Sequence, residues 1–233
     1  MDSGVKKTRV LFCLPGRSFS SNFLKCWSNT LNTLLKSGLF EVLLSCEYSS
    51  FVTFARAKCL GADVLRGVDQ KPFGGKLAYD VMVWIDSDVV WSADQVIKLL
   101  QYASVYPVVS GVYKMEDQVH YATVLEWDDA HYLQHGSYKF LTDEAVAALV
   151  GDSSTKKLMK CAYTGMGFMA VARGVFESIQ YPWFACATQT FGAGVAEACS
   201  EDVAFCKNLA SAGIDIMVDV TLKVGHEKKV VLQ

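Results

Sequence analysis

The stretch VMVWIDSD, residues 81–88, decides the fold, because it joins an uninterrupted apolar run directly to two carboxylates. Consecutive apolar residues of this length predict a short buried strand. Asp86-Ser87-Asp88 follows at once and ends that strand. In open α/β sheets, ligands bind beyond the carboxyl ends of the strands. The stretch therefore predicts a ligand site at the end of a central strand, with a plain solvated turn as the alternative.

Strand and helix patterns alternate on both sides of this stretch. Short apolar runs predict strands over 10–14, 41–46 and 107–113, and helical spacing predicts helices over 22–36 and 52–60. Ser92 and Gln95 form a capping box for a further helix that runs to about Ser104. A βαβ series of this kind predicts an α/β fold, with a mostly parallel sheet flanked by helices.

The second half of the chain is less regular. Strands are predicted over 123–127, 167–172, 216–218 and 223–224, and helices over 142–150 and 201–212. The sequence has no internal repeat, low-complexity tract or linker. We therefore expect a single Rossmann-like domain over 1–233, with a regular first half of about 1–113 and a smaller, mixed second half of about 114–233.

Composition restricts the class of protein. Hydrophobic residues make up 52% and charged residues 20% of the 233 residues, which predicts a compact globule. The net charge of −2 argues against a nucleic-acid partner. Neither a signal peptide nor a membrane span is expected. The eight cysteines include no CxxC pair, so a reduced, cytoplasmic protein without structural zinc is expected.

Two groups of residues suggest a metal site. Asp86 and Asp88, one residue apart, could hold one hard cation and a ribose together, since Mg²⁺ and Mn²⁺ prefer oxygen ligands shared with phosphates. His226 follows Gly225 and a short strand near the end of the sequence. An imidazole beside carboxylates favours Mn²⁺, although a lone histidine is more often a packing or surface residue.

Two further segments suggest catalysis and donor binding. Glu201 and Asp202 begin a predicted helix, where a carboxylate could act as a general base or could simply stabilise the helix dipole. Gly165 and Gly167 lie just before a predicted strand. Glycine lets the backbone approach a sugar closely, but two glycines also commonly mark a bulge.

The order of these motifs resembles the GT-A fold glycosyltransferases, and most closely the group related to glycosyltransferase family 2, including viral and bacterial members. The segments VWIDSD (83–88), GMGFM (165–169) and EDVAFC (201–206) carry most of the resemblance, which extends from Val10 to His226. The resemblance implies a nucleotide-binding first half and an acceptor-binding, catalytic second half.

The resemblance also implies a role for each matching residue on the donor side. Asp88 would bind the metal, Asp86 would bind ribose or metal, and His226 would complete the metal shell. The remaining donor-binding residues would be Pro15, Gly16, Arg56, Ser87, Gly165 and Gly167. The family often has Asn after the arginine, whereas Ala57 stands here.

On the acceptor side, the resemblance implies that Asp202 is the base of an inverting displacement and that Glu201 lies near the acceptor. Trp183 would stack against a sugar face, with a place in the core as the alternative. The implied cofactor is Mn²⁺ or Mg²⁺. The implied partners are a nucleotide sugar, with UDP preferred and GDP open, and a glycan or glycoconjugate acceptor.

Two other classes of protein fit parts of the pattern. A haloacid-dehalogenase-type phosphotransferase also places Asp-x-Asp after an apolar strand, but its nucleophile normally follows the first strand of the domain. A non-catalytic module that binds sugar nucleotides or carbohydrate is the second alternative, which the presence of Asp202 and His226 disfavours. A turnover assay with donor, acceptor and Mn²⁺ separates the three.

Overall fold

The computed structural model describes residues 6–151, 157–192 and 194–228. Its strands are β1 Thr8–Pro15, β2 Phe40–Glu47, β3 Val81–Ile85, β4 Val89–Val90, β5 Val108–Val112, β6 Thr123–Val124, β7 Leu158–Cys161, β8 Tyr163–Thr164, β9 Phe168–Ala172, β10 Thr188–Thr190, β11 Ala196–Ala198, β12 Ile216–Lys223 and β13 Gly225–His226. Its α-helices are α1 Ser21–Ser37, α2 Val52–Cys59, α3 Ala93–Ala103, α4 Asp129–His135, α5 Asp143–Val150, α6 Val175–Ser178 and α7 Glu201–Ser211.

A seven-stranded sheet in the order β2-β1-β3-β9-β5-β12-β7 forms the centre of the fold. The pairs β1–β2, β1–β3 and β5–β12 are parallel. Strand β9 runs antiparallel between β3 and β5, and β7 runs antiparallel beside β12. The predicted α/β class with a mostly parallel sheet is therefore confirmed. Strands from both predicted halves belong to this one sheet.

Strand β3 holds the acidic turn firmly because all five of its residues are buried. Successive side chains of a strand point to opposite faces, so β3 contributes to two apolar layers. Met82 and Trp84 pack in the layer that contains α7, whereas Val83 and Ile85 pack in the layer that contains α3. Burial on both faces explains the uninterrupted apolar run, and it fixes where Asp86 leaves the sheet.

Helices α1 and α3 begin at residues whose side chains cap them. The Ser20 hydroxyl accepts a hydrogen bond from the Phe23 amide at the start of α1, and Gly38 ends this helix in the left-handed conformation. Both hydrogen bonds of the Ser92–Gln95 capping box are present at the start of α3. These local signals made the first half predictable from sequence.

Three strands predicted in the second half differ from the structure, and β7, β8, β10, β11, α4 and α6 were not predicted. The predicted strand over 123–127 is limited to Thr123–Val124, which pairs with β8 outside the main sheet. The two short strands predicted over 216–218 and 223–224 are one strand, β12, which ends at Lys223. Asp219 interrupts the apolar pattern of β12, yet it is buried there because Lys98, Tyr102 and Thr221 bind its carboxylate.

No helix in the described part of the chain combines the length and the apolar character that crossing a membrane requires.

Candidate active site

A cleft of about 350 Å³ lies where β1, β2 and β3 end. Because these three strands are parallel, their carboxyl ends meet at one edge of the sheet. The lining residues are Pro15, Gly16, Arg17, Tyr48, Ser49, Ser50, Val52, Ala55, Asp86, Ser87 and Asp88. Larger clefts lie around Leu125–Trp127, and none of their lining residues belongs to the Asp-Ser-Asp turn. The predicted donor residues at 15, 16 and 86–88 therefore share one cleft.

Glycine at position 16 lets the loop after β1 pack against the acidic turn. A Cβ atom at Gly16 would lie 2.7 Å from the Cβ atom of Ser87, closer than real Cβ contacts occur. The Arg17 guanidinium lies over the Tyr48 ring, 5.7 Å from its centroid, at the mouth of the same cleft. The cleft thus offers an aromatic face and a cation, which suit a nucleotide base and a phosphate.

Arg56 connects the acidic turn to the Glu-Asp helix. Its two terminal nitrogens donate hydrogen bonds to the two carboxylate oxygens of Asp86, at 2.9 and 3.0 Å. Its Nε donates to Glu201 Oε1 at 3.1 Å. The side chain is only 2% exposed, and it stacks over the Trp84 ring. In this conformation Arg56 binds two carboxylates, and its predicted contact with a donor nucleotide stays a prediction.

Burial and the neighbouring charges act in opposite senses on Arg56 and on Glu201. Burial alone would lower the pKa of Arg56, but Asp86 and Glu201 raise it above its usual value. Burial raises the pKa of Glu201, and Arg56 opposes that rise. A bidentate Arg–carboxylate pair fixes both groups in one plane. Asp86 is therefore held in a defined orientation at the end of β3, and Glu201 is directed inwards, towards Arg56.

Asp88 and His226 meet although 138 residues separate them in the sequence. The His226 Nε2 atom lies 3.0 Å from Asp88 Oδ2. The short pairing of β13 with β4 brings them together, because His226 pairs with Val89. Burial alone would raise the pKa of Asp88, but the His226 ring and the Lys228 ammonium beside it lower this pKa to about 2. Asp88 is therefore a carboxylate at neutral pH.

The backbone carbonyl of Lys114, just after β5, orients the His226 ring. Its Nδ1 atom lies 2.7 Å from the carbonyl oxygen of Lys114, which can only accept, so Nδ1 carries a proton. Hydrogen bonding of one ring nitrogen to a carbonyl is the usual way a protein orients a metal-binding imidazole. In its protonated form the His226 ring would donate from Nε2 to Asp88, which raises the pKa of His226, whereas burial and Lys228 act in the opposite sense.

The pair Asp88 and His226 fits a divalent cation. A carboxylate oxygen and an imidazole nitrogen converge, and this donor set suits Mn²⁺. Within the described ranges, no group of three or more His, Cys, Asp or Glu side chains could enclose a metal. The protein would therefore supply part of the shell only, and phosphate oxygens and water would supply the rest, as they commonly do for such cations.

Asp202 lies in the first turn of α7, next to Glu201. Its Oδ2 accepts a hydrogen bond from the Tyr163 hydroxyl at 3.0 Å, and its Oδ1 accepts from the Val203 amide at 2.9 Å. The Ser200 hydroxyl also donates to Oδ1 instead of capping the helix. These contacts hold the carboxylate in one orientation, and it retains lone pairs for a substrate hydroxyl.

Tyr113 explains why positions 165 and 167 are glycines. A Cβ atom at Gly165 would lie 2.1 Å from the Tyr113 hydroxyl oxygen, and one at Gly167 would lie 2.9 Å from the ring. The Gly167 amide donates to that hydroxyl at 3.1 Å. Burial raises the pKa of Tyr113, as do the nearby charges of Asp86 and Asp202. Tyr113 fills the space beside both glycines, and their predicted contact with the donor sugar stays a prediction.

This packing makes Gly165→Ala a destabilising substitution. The added methyl group overlaps a buried phenol, and overpacking of this kind costs about 1–3 kcal/mol. We expect the Tm to fall by roughly 2–4 °C for each kcal/mol lost, as measured by thermal denaturation. Adding Tyr113→Phe to this variant removes the atom that lies nearest and should restore part of the loss. If Gly165→Ala alone unfolds like the wild type, Tyr113 does not fill that space.

The structure places Trp183 in the core. Its side chain is 1% exposed and packs against Phe176 and Tyr181. A sugar would have no access to either ring face in this conformation. Trp183 therefore lies in the core, which is the alternative that the sequence left open.

Several residues of the site were not found from the sequence. Tyr113, Tyr163 and Lys228 contact the predicted residues from distant parts of the chain, and Tyr48 lines the cleft. No motif identifies a single tyrosine or lysine as part of a site. The position of Tyr48 directly after the second predicted strand was the one available signal, since strand ends face the cleft.

No protein-family model and no curated protein matches this chain. Solved structures match nearly all of it. A197 from STIV is 16% identical, with 97% of each chain covered and a TM-score of 0.49. Glucosyl-3-phosphoglycerate synthase from Mycobacterium tuberculosis, in complex with Mn²⁺, uridine diphosphate and phosphoglyceric acid, is 16% identical, with 96% of this chain and 72% of that chain covered and a TM-score of 0.46.

GalNAc-T7, in a structure with UDP, GalNAc and Mn²⁺, is 14% identical, with a TM-score of 0.49. The match covers 98% of this chain but 45% of GalNAc-T7, so the present chain spans less than half of that protein. All three TM-scores are below 0.5, so the description of the fold and of the site rests on this chain's own sheet order and on the acidic turn at the end of β3.

Proposed function

We propose that the protein is a glycosyltransferase that uses a nucleotide-diphosphate sugar and a divalent cation. The observation that carries this proposal is the meeting of Asp88 Oδ2 and His226 Nε2, 3.0 Å apart, at the edge of the cleft. A carboxylate and an imidazole that converge beside an aromatic, cationic cleft suit a cation bound to a nucleoside diphosphate.

Different residues of the cleft would bind different parts of the donor. Pro15, Gly16 and Tyr48 would surround the base, and Arg56 would keep Asp86 oriented towards the ribose or the cation. Bound at Asp88 and His226, a divalent cation would neutralise the charge that develops on the departing diphosphate. UDP is the nucleotide that the resemblance favours, and Mn²⁺ is the cation that the imidazole favours.

Asp202 would act on the acceptor. In an inverting displacement, its carboxylate would take the proton of an acceptor hydroxyl while that oxygen attacks the anomeric carbon and the bond to the diphosphate breaks. Tyr163, Ser200 and the Val203 amide orient the carboxylate for this task. The acceptor class that we propose is a glycan or glycoconjugate, and the proposed location of the protein is the cytoplasm.

The phosphotransferase alternative fits the geometry less well. In such an enzyme the first aspartate of Asp-x-Asp must be free to attack phosphorus, but both oxygens of Asp86 accept hydrogen bonds from Arg56. The acidic turn also follows β3, the third strand of the chain, rather than the first. The arrangement supports binding and transfer of a sugar nucleotide over attack by Asp86.

A screen of nucleotide sugars tests the proposal. The wild-type protein is incubated with Mn²⁺ and UDP- or GDP-sugars, and the release of free nucleoside diphosphate is measured with and without candidate glycan acceptors. We expect release from one donor class, with a rate that depends on the cation. Release of inorganic phosphate from phosphate esters, without activity on any sugar nucleotide, would favour the phosphotransferase instead.

Binding of the nucleotide should itself require the cation. We expect calorimetry to show UDP or GDP binding with Mn²⁺ at least as effective as Mg²⁺, and binding that is largely lost in EDTA. His226→Ala should lower the Mn²⁺ affinity by at least about 10-fold, because even the loss of a group that orients a metal ligand costs this much.

A second histidine provides the control for this variant. His120→Ala removes an exposed imidazole that binds Asp117 and should leave both affinities unchanged. Undiminished nucleotide affinity in EDTA would contradict the proposed site. His226→Ala should also remain folded, since β13 is a short pair of residues outside the main sheet.

A further inference from the structure

The ammonium group of Lys228 lies between the two side chains that we assign to the cation. Its Nζ atom is 3.0 Å from Asp88 Oδ2 and 2.8 Å from His226 Nε2. These two atoms are themselves 3.0 Å apart, so the three groups form a compact triangle. A positive charge of this chain thus contacts both atoms that a metal ion would have to bind.

The hydrogen bonds of His226 explain how an ammonium group can bind there. Since Nδ1 donates to the Lys114 carbonyl, the Nε2 atom of the neutral ring carries a lone pair. An ammonium group has donors only, so Lys228 donates both to this lone pair and to the Asp88 carboxylate. The same lone pair and the same carboxylate would bind a metal. Lys228 therefore binds both groups in the protonation state that metal binding also requires.

The backbone beside Lys228 is held by hydrogen bonds, whereas the Lys228 side chain is partly exposed. The Glu227 amide donates to the Asp88 carbonyl at 2.6 Å, and the Glu227 side chain accepts from Asn22 Nδ2 at 3.0 Å. The Lys228 side chain is 44% exposed. A lysine has a long, flexible stem, so its ammonium group can leave the triangle without a change of the backbone.

A metal ion and the Lys228 ammonium cannot share this place. A divalent cation bound to Asp88 and His226 would lie within a few ångström of the ammonium, where like charges repel strongly even at an effective dielectric of about 20. The nearest new source of negative charge would be the diphosphate of the donor, which arrives with the cation. Lysine is a common phosphate ligand as a point charge.

We propose that Lys228 is an exchangeable cation, which occupies the metal position in the free protein and moves to the donor diphosphate when metal and nucleotide bind. The inference rests on the proposed function. It makes the binding of metal and nucleotide cooperative, because a metal alone must displace Lys228, whereas a metal with a diphosphate gives Lys228 a new partner. Such coupling is reciprocal by thermodynamic necessity.

Binding measurements on Lys228→Met test this exchange. We expect Mn²⁺ alone, followed by electron paramagnetic resonance, to bind the variant roughly tenfold more tightly than the wild type, which is within the usual range of coupling between sites. UDP at saturating Mn²⁺ should bind the variant more weakly than the wild type, and the factor by which UDP strengthens Mn²⁺ binding should fall. Lys228→Arg keeps the charge and should stay close to the wild type.

Lys36→Met is the matched control, because it removes one exposed positive charge from the last turn of α1. Asn22, at the start of this 17-residue helix, contacts Glu227, so Lys36 lies roughly 20 Å away along the helix axis. Its affinities should equal those of the wild type. Unchanged or weaker Mn²⁺ binding by Lys228→Met, with UDP-dependent Mn²⁺ binding preserved, would overturn the exchange alone. Absence of Mn²⁺ binding in the wild type, even with UDP, would overturn the proposed function and the exchange with it.

Discussion

Asp88→Ala is expected to abolish sugar transfer while leaving the protein folded. The substitution removes one of the two protein ligands assigned to the cation, and with it the neutralisation of charge on the departing diphosphate. That neutralisation contributes several kcal/mol in the transition state. Since each 1.36 kcal/mol corresponds to a factor of ten in rate, we expect a loss of about 10³-fold or more.

The fold should tolerate this change because the Asp88 side chain is 40% exposed and its partners are the His226 ring and the exposed Lys228 ammonium, outside the main sheet. Ion pairs of this kind contribute about 0–1 kcal/mol to stability. Turnover at limiting Mn²⁺, together with thermal denaturation, provides the measurement. Asp94→Ala removes an exposed carboxylate from the first turn of α3 and serves as the control, with normal turnover expected. Near-normal turnover of Asp88→Ala would show that the metal assignment is wrong.

Asp202→Asn should lower the transfer rate by about 10²- to 10⁴-fold, which is the usual contribution of a general base. Asparagine keeps the shape of the side chain and can still accept from the Val203 amide or the Tyr163 hydroxyl. It cannot take a proton from an acceptor hydroxyl. Donor binding in the presence of Mn²⁺ should therefore stay nearly unchanged, so the loss should appear in kcat.

Comparison with a distant carboxylate isolates this effect. Asp215→Asn removes an exposed carboxylate that pairs with Lys160, just after α7, and should be fully active. A loss of donor affinity in Asp202→Asn equal to the loss of rate would instead place Asp202 in the donor site. A fully active Asp202→Asn enzyme would contradict its role as base, and retention of anomeric configuration in the product would exclude an inverting mechanism.

Local patterns account for the parts of the fold that the sequence predicted. Strand β3 is an apolar run that ends at a charged turn, and α3 begins at a capping box, so each is specified by its own residues. The antiparallel direction of β9 could not be predicted in this way. It depends on pairing with β3 and β5, and the residues of β9 alone do not indicate it. Strand β12 was divided in the prediction because Asp219 is polar, and only its buried partners explain its presence in a strand.

The candidate site, like the fold, could be predicted from the sequence only in part. The acidic turn and His226 could be proposed from residue type and order, but nothing in the sequence shows that β13 pairs with β4 and brings His226 onto Asp88. Arg56 was assigned to the donor, whereas the structure shows it binding Asp86 and Glu201. The glycines at 165 and 167 suggested space for a sugar, because the sequence cannot show that Tyr113 occupies it.

The central claim is that Asp88 and His226 hold a cation bound to a nucleoside diphosphate. Anomalous diffraction at the manganese edge, from crystals grown with Mn²⁺ and UDP, tests it most directly. We expect a manganese peak at coordination distance, roughly 2.0–2.6 Å for hard cations, from the Asp88 carboxylate, the His226 imidazole and the diphosphate oxygens. Electron density for UDP without manganese at this position, or a peak bound only by other residues, would show that Asp88 and His226 do not hold the cation.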